Sequence, residues 1–169
     1  MKKYLPYRPV LYLPKTKSER IMDIIGITLF LGAILFVGVN WGNIPESIPA
    51  HFNIEGEIDR WGSKYEFIFL PIIAVFLFVI MSLLEKAPHM HNYPDRINEE
   101  NVEQFYLHSR KLLNIVKNFC LILFAYLIVQ IGRVAIGGIE RFSIGLVPII
   151  LIILFGTIGI GIYRQSKIK

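Results

Sequence analysis

Apolar residues gather in four long blocks, at about residues 21–41, 67–84, 112–136 and 144–163, separated by polar stretches. Ile24 to Val39 holds no charged residue, and neither does Asn118 to Gly132 in the third block. An α-helix rises 1.5 Å per residue, so roughly 20 residues cover a hydrocarbon core of about 30 Å. Each block is long enough. The pattern predicts an all-α integral membrane protein of four transmembrane helices, forming one membrane domain over residues 21–163.

The polar stretches divide the rest. Residues 1–20 form a lead segment in which Pro6, Pro9 and Pro14 exclude a continuous helix. It is expected to lie along anionic headgroups. Residues 42–66 form a loop, 85–111 a connector broken at Ala87-Pro88 and Tyr93-Pro94, and 164–169 a tail. Asn98 is a candidate N-cap, with Glu99 and Glu100 in the first turn. From there a helix is expected to run unbroken into the third span. Val102, Phe105, Tyr106, Ser109, Leu112 and Leu113 would give it an amphipathic lead-in on the membrane surface.

Composition agrees with a membrane chain: 54% of residues are hydrophobic and 18% charged, against roughly 25% charged in soluble domains. The net charge of +5 does not point to nucleic acid, because the basic residues flank the apolar blocks. Fourteen of the eighteen Lys and Arg fall in the lead segment, the 85–117 region and the tail. Arg60, Lys64, Arg133 and Arg141 fall on the other side. The positive-inside rule then puts both termini and the connector in the cytoplasm, and the 42–66 loop outside. The first block lacks a small-residue cleavage site and is expected to stay as the first span. Lys117 is expected to snorkel to the inner interface and Arg133 to the outer one. The lone Cys120 reads as a small hydrophobe.

The loop carries most of the specific chemistry. Ser47 to Phe52 and Glu57 to Trp61 are expected to pair as a short hairpin around a turn at Asn53–Gly56, with Gly56 at positive φ. His51 and Asp59, with Glu55 or Glu57, are the candidate metal ligands. Zinc takes three or four ligands, and the loop has one histidine, so no metal site and no cofactor are expected. His51, Asn53 and Asp59 read instead as side chains that bond the loop's own backbone. Tyr126, Gln130 and Arg133 share one helix face. Arg133 is expected to anchor the loop by pairing with one of Glu46, Glu55, Glu57, Asp59 and Glu66, Asp59 first among them, because an unpaired Arg at membrane depth is costly.

His89 and His91 read as solvated, and His108 as lying at headgroup level. No Ser-His-Asp set, GxSxG, HExxH or phosphate-binding Gly loop is present, and no intramembrane carboxylate is read from the spans. No catalytic residue is assigned, and a non-enzyme is expected.

The run from Ile48 to Lys64 resembles the signature of a bacterial membrane domain of unknown function. That domain forms the N-terminal half of SdpI-type proteins, which give immunity to the sporulation-delaying toxin. The matching positions are Pro49, His51, Phe52, Asn53, Gly56, Asp59, Trp61, Gly62, Ser63 and Lys64. Asn98 to Leu113 is also similar to the segment leading into that domain's third span. The resemblance implies a multi-span protein of the bacterial cytoplasmic membrane that gives immunity to, or senses, an extracellular peptide toxin. Two other functions stay open: an accessory subunit of a membrane transporter, with a membrane-protein partner, and a metal-dependent membrane enzyme using the outer loop.

Overall fold

The computed structural model describes residues 7–139, 143 and 145–169. Lys2, Lys3, Tyr4, Pro6, Glu140, Arg141 and Ile144 lie outside the described residues. Four helices dominate: α1 (Lys17–Asn40), α2 (Phe69–Lys86), α3 (Val102–Ala135) and α4 (Leu146–Ser166). Each is long and apolar enough to cross a membrane. Between α1 and α2 stands a two-stranded antiparallel sheet, β1 (Ser47–Phe52) and β2 (Ile58–Ser63).

The third helix is the organising element. At 34 residues it is roughly 50 Å long, and α1, α2 and α4 all pack on it. One stripe of α3 recurs at helical spacing and changes character along its length. Val102, Phe105 and Tyr106 begin it, Arg110, Asn114, Lys117 and Asn118 follow, and Leu121, Ala125 and Ile128 complete it, all buried. The interior therefore has three layers. An apolar core of Phe30, Ala33, Ile44, Ile48, Phe67, Ala74, Leu121, Ala125 and Ile128 lies toward the hairpin. A second core of Tyr93, Ile97, Val102, Phe105, Tyr106 and Ile168 lies at the end holding the termini. The polar layer sits between them.

Two sequence expectations change here. The start of α3 is not an open amphipathic face. Its apolar face is covered by Tyr93 and Ile97 of the connector, by Ile168, and by Leu11 and Leu13 of the lead segment. That segment folds back on the protein as an extended strap: the Tyr106 hydroxyl donates to the Pro9 carbonyl at 3.2 Å and Arg8 to the His91 carbonyl at 3.2 Å. Asn98 acts one turn before the helix, accepting the N–H groups of Glu100 and Asn101, and α3 itself starts at Val102.

The N-terminus of α1 follows ordinary capping chemistry. Thr16 caps α1 in a capping box with Glu19, whose carboxylate accepts the Thr16 N–H at 2.7 Å. Gly26 lets α1 approach α3 closely: a Cβ there would fall 2.5 Å from Asn118 Oδ1. The outer surfaces of α1, α2 and α4 expose Ile24, Leu35, Ile72, Phe76, Ile152 and Phe155. Such wide apolar surface is rare on soluble monomers and is what lipid-facing helices present.

Candidate functional site

The hairpin is held by its own motif residues. Asn53 Oδ1 accepts the N–H groups of Glu55 at 3.0 Å and Glu57 at 2.9 Å, and Asn53 N–H donates to the Glu57 carbonyl. Gly56 closes this turn at φ +81°, in the region that favours glycine. The sequence reading ended the second strand at Trp61. It continues to Ser63, and the return to the membrane is a 3₁₀ turn over Lys64–Ile68. Ser63 caps that turn in a capping box with Glu66. Gly62 is demanded by close packing, since a Cβ there would lie 2.5 Å from Glu66 Oε1 and 2.8 Å from Ala50 Cβ.

His51 and Asp59 meet across the strands, Nδ1 to Oδ1 at 2.6 Å, both largely solvated. Among the described residues no group of three His, Cys, Asp or Glu gathers there or elsewhere. Arg60 donates to Glu66 at 3.1 Å, and Lys64 reaches Glu46 at 2.5 Å while lying over the Trp41 and Tyr65 rings. Trp61, Tyr65 and Ile54 also stand at the hairpin surface, 58%, 61% and 88% exposed. Between β1, β2 and the helices lies a cleft of about 220 Å³, lined by Ala50, Arg60, Glu66, Phe69 and Ile131 among others.

Arg133 does not pair with Asp59. Asp59 is taken by His51, and Arg133 is exposed. The neighbouring Gly132 faces α1, where a Cβ would meet Phe36 at 3.0 Å. The next side chain is turned about 100° away from that contact. Ile44, Ile48, Pro49 and Phe67, buried at the hairpin base, seat it on the bundle instead. Tyr126, Gln130 and Arg133 also part company: Gln130 is buried, while the Tyr126 hydroxyl donates to the Ser143 carbonyl.

A second polar site, at the opposite end of the bundle, was not expected as a unit. Asp23 and Glu85 are bridged by two ammonium groups, each of which takes one oxygen from each carboxylate. Lys117 lies 2.9 Å from Asp23 Oδ1 and 2.6 Å from Glu85 Oε1. Lys15 lies 2.5 Å from Asp23 Oδ2 and 2.8 Å from Glu85 Oε2. The result is a closed, neutral ring of four alternating charges joining the strap, α1, α2 and α3. Asn114 donates to both carboxylates, Asn118 donates to Asp23, and Lys117 also lies over the Phe78 ring.

Beside the ring, Arg110 forms a two-nitrogen pair with Glu19, at 2.8 and 3.0 Å, and donates to the Leu13 and Pro14 carbonyls. Lys117 therefore does not snorkel, and carboxylates do enter the helical region. The signal was present in the sequence: Arg110, Asn114, Lys117 and Asn118 lie on the same stripe as Leu121, Ala125 and Ile128. For Lys15, burial pulls downward, but hydrogen bonds and charge from Asp23 and Glu85 outweigh it and hold the ammonium above the usual lysine value.

The connector histidine His91 is half-buried rather than solvated. Its Nε2–H donates to the Leu84 carbonyl at 3.0 Å, so its Nδ1 accepts the Ser109 hydroxyl at 2.5 Å. Burial, with a smaller contribution from His89, lowers its pKa against the opposing Leu84 bond. His108 bonds the Gly161 carbonyl of α4 at 2.8 Å. Tyr93, buried beneath the strap, is pushed up to about 12 by burial.

Residues 28–75 match the family described as Domain of unknown function (DUF1648), a stretch that begins in α1, contains the whole hairpin and ends in α2. An uncharacterized protein of Archaeoglobus fulgidus is 30% identical over 80 residues, 46% of this chain and 42% of the relative. The chain thus spans less than half the length of that relative. No solved structure matches. The likeness is to a domain whose matched region is centred on the hairpin, in a chain whose four long helices have the dimensions of a multi-pass membrane protein.

Proposed function

We propose that this chain is a non-enzymatic, SdpI-like protein of the cell membrane, with both termini in the cytoplasm and the hairpin outside. Its role in this reading is to sense, or protect against, an extracellular membrane-active peptide through the hairpin. The supporting observation is how the motif is divided. Asn53, Gly56, Gly62, Ser63 and Lys64 fix the backbone, while Trp61, Tyr65 and Ile54 stand exposed on the fixed frame. A rigid platform of large apolar side chains suits recognition, because little ordering entropy is lost on binding.

The test is growth of cells expressing the protein under challenge with membrane-active peptides. Wild type is expected to protect against a cognate peptide. Trp61→Ala is expected to remove protection while protein level in the membrane stays the same. Protection unchanged by Trp61→Ala at equal level would refute the role of the hairpin.

A further inference from the structure

We propose that the outward face of the hairpin is a docking surface for a cationic amphipathic peptide. The inference rests on the peptide-recognition reading above and adds the charge class of the ligand. The two faces of the hairpin differ. Alternate residues of a strand point to opposite faces. Arg60 donates to Glu66, and a Cβ on Gly62 would meet Glu66 and Ala50, so these positions of β2 turn toward the 3₁₀ turn and the bundle.

Asp59 and Trp61 therefore share the other face, and His51 joins them there through its bond to Asp59. All three are exposed, and beyond them the turn presents exposed Ile54 and Glu55. Large apolar side chains thus stand beside carboxylates, on a backbone fixed by Asn53, Gly56 and Gly62.

Charge selects the occupant. Residues 42–66 hold five acidic residues against Arg60 and Lys64, a net charge of −3 in a chain of net +5. With Arg133, Glu140 and Arg141 added, the outer side of the proposed topology has six acids and four bases. Arg60 pairs with Glu66 and Lys64 with Glu46, so both cations of the loop serve carboxylates away from the outward face. An acidic surface repels anionic headgroups and attracts cations. A bilayer is therefore a poor partner for Ile54 and Trp61. Membrane-active amphipathic helices carry Lys and Arg on one face and Leu, Phe or Trp on the other. Both halves of such a peptide find their complement here: cationic groups at Glu55 and Asp59, apolar side chains at Ile54 and Trp61.

The tryptophans of the chain are Trp41 and Trp61, so Trp41→Phe leaves Trp61 as the reporter. The test uses this full chain in uncharged detergent micelles with two Trp-free amphipathic peptides, one of Leu and Lys only, the other with Glu at every Lys position. The Leu–Lys peptide is expected to shift the Trp61 emission saturably, and the Leu–Glu peptide to leave it unchanged at the same concentration. Glu55→Gln with Asp59→Asn is expected to weaken the Leu–Lys response roughly fivefold. If Trp41→Phe does not fold, the difference between wild type and Trp61→Phe reads the same signal. An equal or stronger response to the Leu–Glu peptide, or no effect of the double neutralisation, overturns the charge class and leaves peptide recognition standing. No response to either peptide overturns the docking surface, and the growth test with Trp61→Ala judges the protective role separately. Quenching of Trp61 by brominated acyl chains in peptide-free nanodiscs would make the bilayer the occupant and also overturn the proposal.

Discussion

Lys117 places its ammonium 2.6 Å from Glu85 Oε1 with both side chains 1% exposed, and Asp23 completes its coordination from α1 at 2.9 Å. One α3 residue thus binds the ends of two other helices. Lys117→Met leaves two carboxylates with Lys15 alone and is expected to cost about 3–5 kcal/mol, read by unfolding of the detergent-solubilised protein. Adding Glu85→Gln restores neutrality, so the double variant should lose less than the sum of the two single losses.

Gly62 is the tightest point of the hairpin. Gly62→Ala forces a Cβ against Glu66 and Ala50 and is expected to cost about 1–3 kcal/mol. Gly42→Ala, where nothing lies within 4 Å of the new Cβ, is expected to stay within about 0.5 kcal/mol of wild type. The same unfolding measurement compares them.

The His51–Asp59 pair is 65% and 42% exposed. Screening by solvent keeps it to about 1 kcal/mol or less. His51→Ala and Asp59→Asn are therefore expected to leave stability nearly intact, and a double-mutant cycle gives their coupling. Loss of protection in either variant at full protein level then reports on recognition rather than on folding.

His91 makes one end of the molecule pH-sensitive. Its folded pKa is lowered from the ordinary histidine value of 6.5, so the unfolded chain takes up the proton first as pH falls. The stability it contributes is fully present above about 6.5 and is lost as pH drops through the lower folded value. The neutral ring is the bonded form, because protonated Nδ1 cannot accept from Ser109. His91→Gln is expected to flatten this part of the stability–pH curve.

Much of the helical architecture was legible in the sequence because hydropathy and length decide it. The unbroken run into α3 was visible for the same reason: no proline interrupts Val102 to Ala135. The hairpin turn was legible because Asn53 and Gly56 have few other conformational uses. Partnerships across the chain were not. Lys117 has the same local sequence whether it snorkels or lies buried, and the difference is made by Asp23 and Glu85, far away in the chain. The seat of the strap is hidden in the sequence for a similar reason. Prolines and basic residues signal an extended segment, but its seat is created by Arg110, Tyr106 and the α3 apolar face. Arg133 was given to Asp59 from cost alone, when a nearer partner, His51, lay across the hairpin.

If the hairpin is an extracytoplasmic recognition surface, as proposed, the side of the membrane it occupies can be measured directly. Cys120 is the single cysteine of the chain, so Cys120→Ala gives a clean background. Ile54→Cys at the hairpin tip and Tyr12→Cys on the strap each place a thiol at a highly exposed position, 88% and 94% exposed in the native residues. A membrane-impermeant maleimide added to intact cells is expected to label Ile54→Cys and to label Tyr12→Cys only after the membrane is opened. Labelling of Tyr12→Cys in intact cells with Ile54→Cys protected would contradict the account.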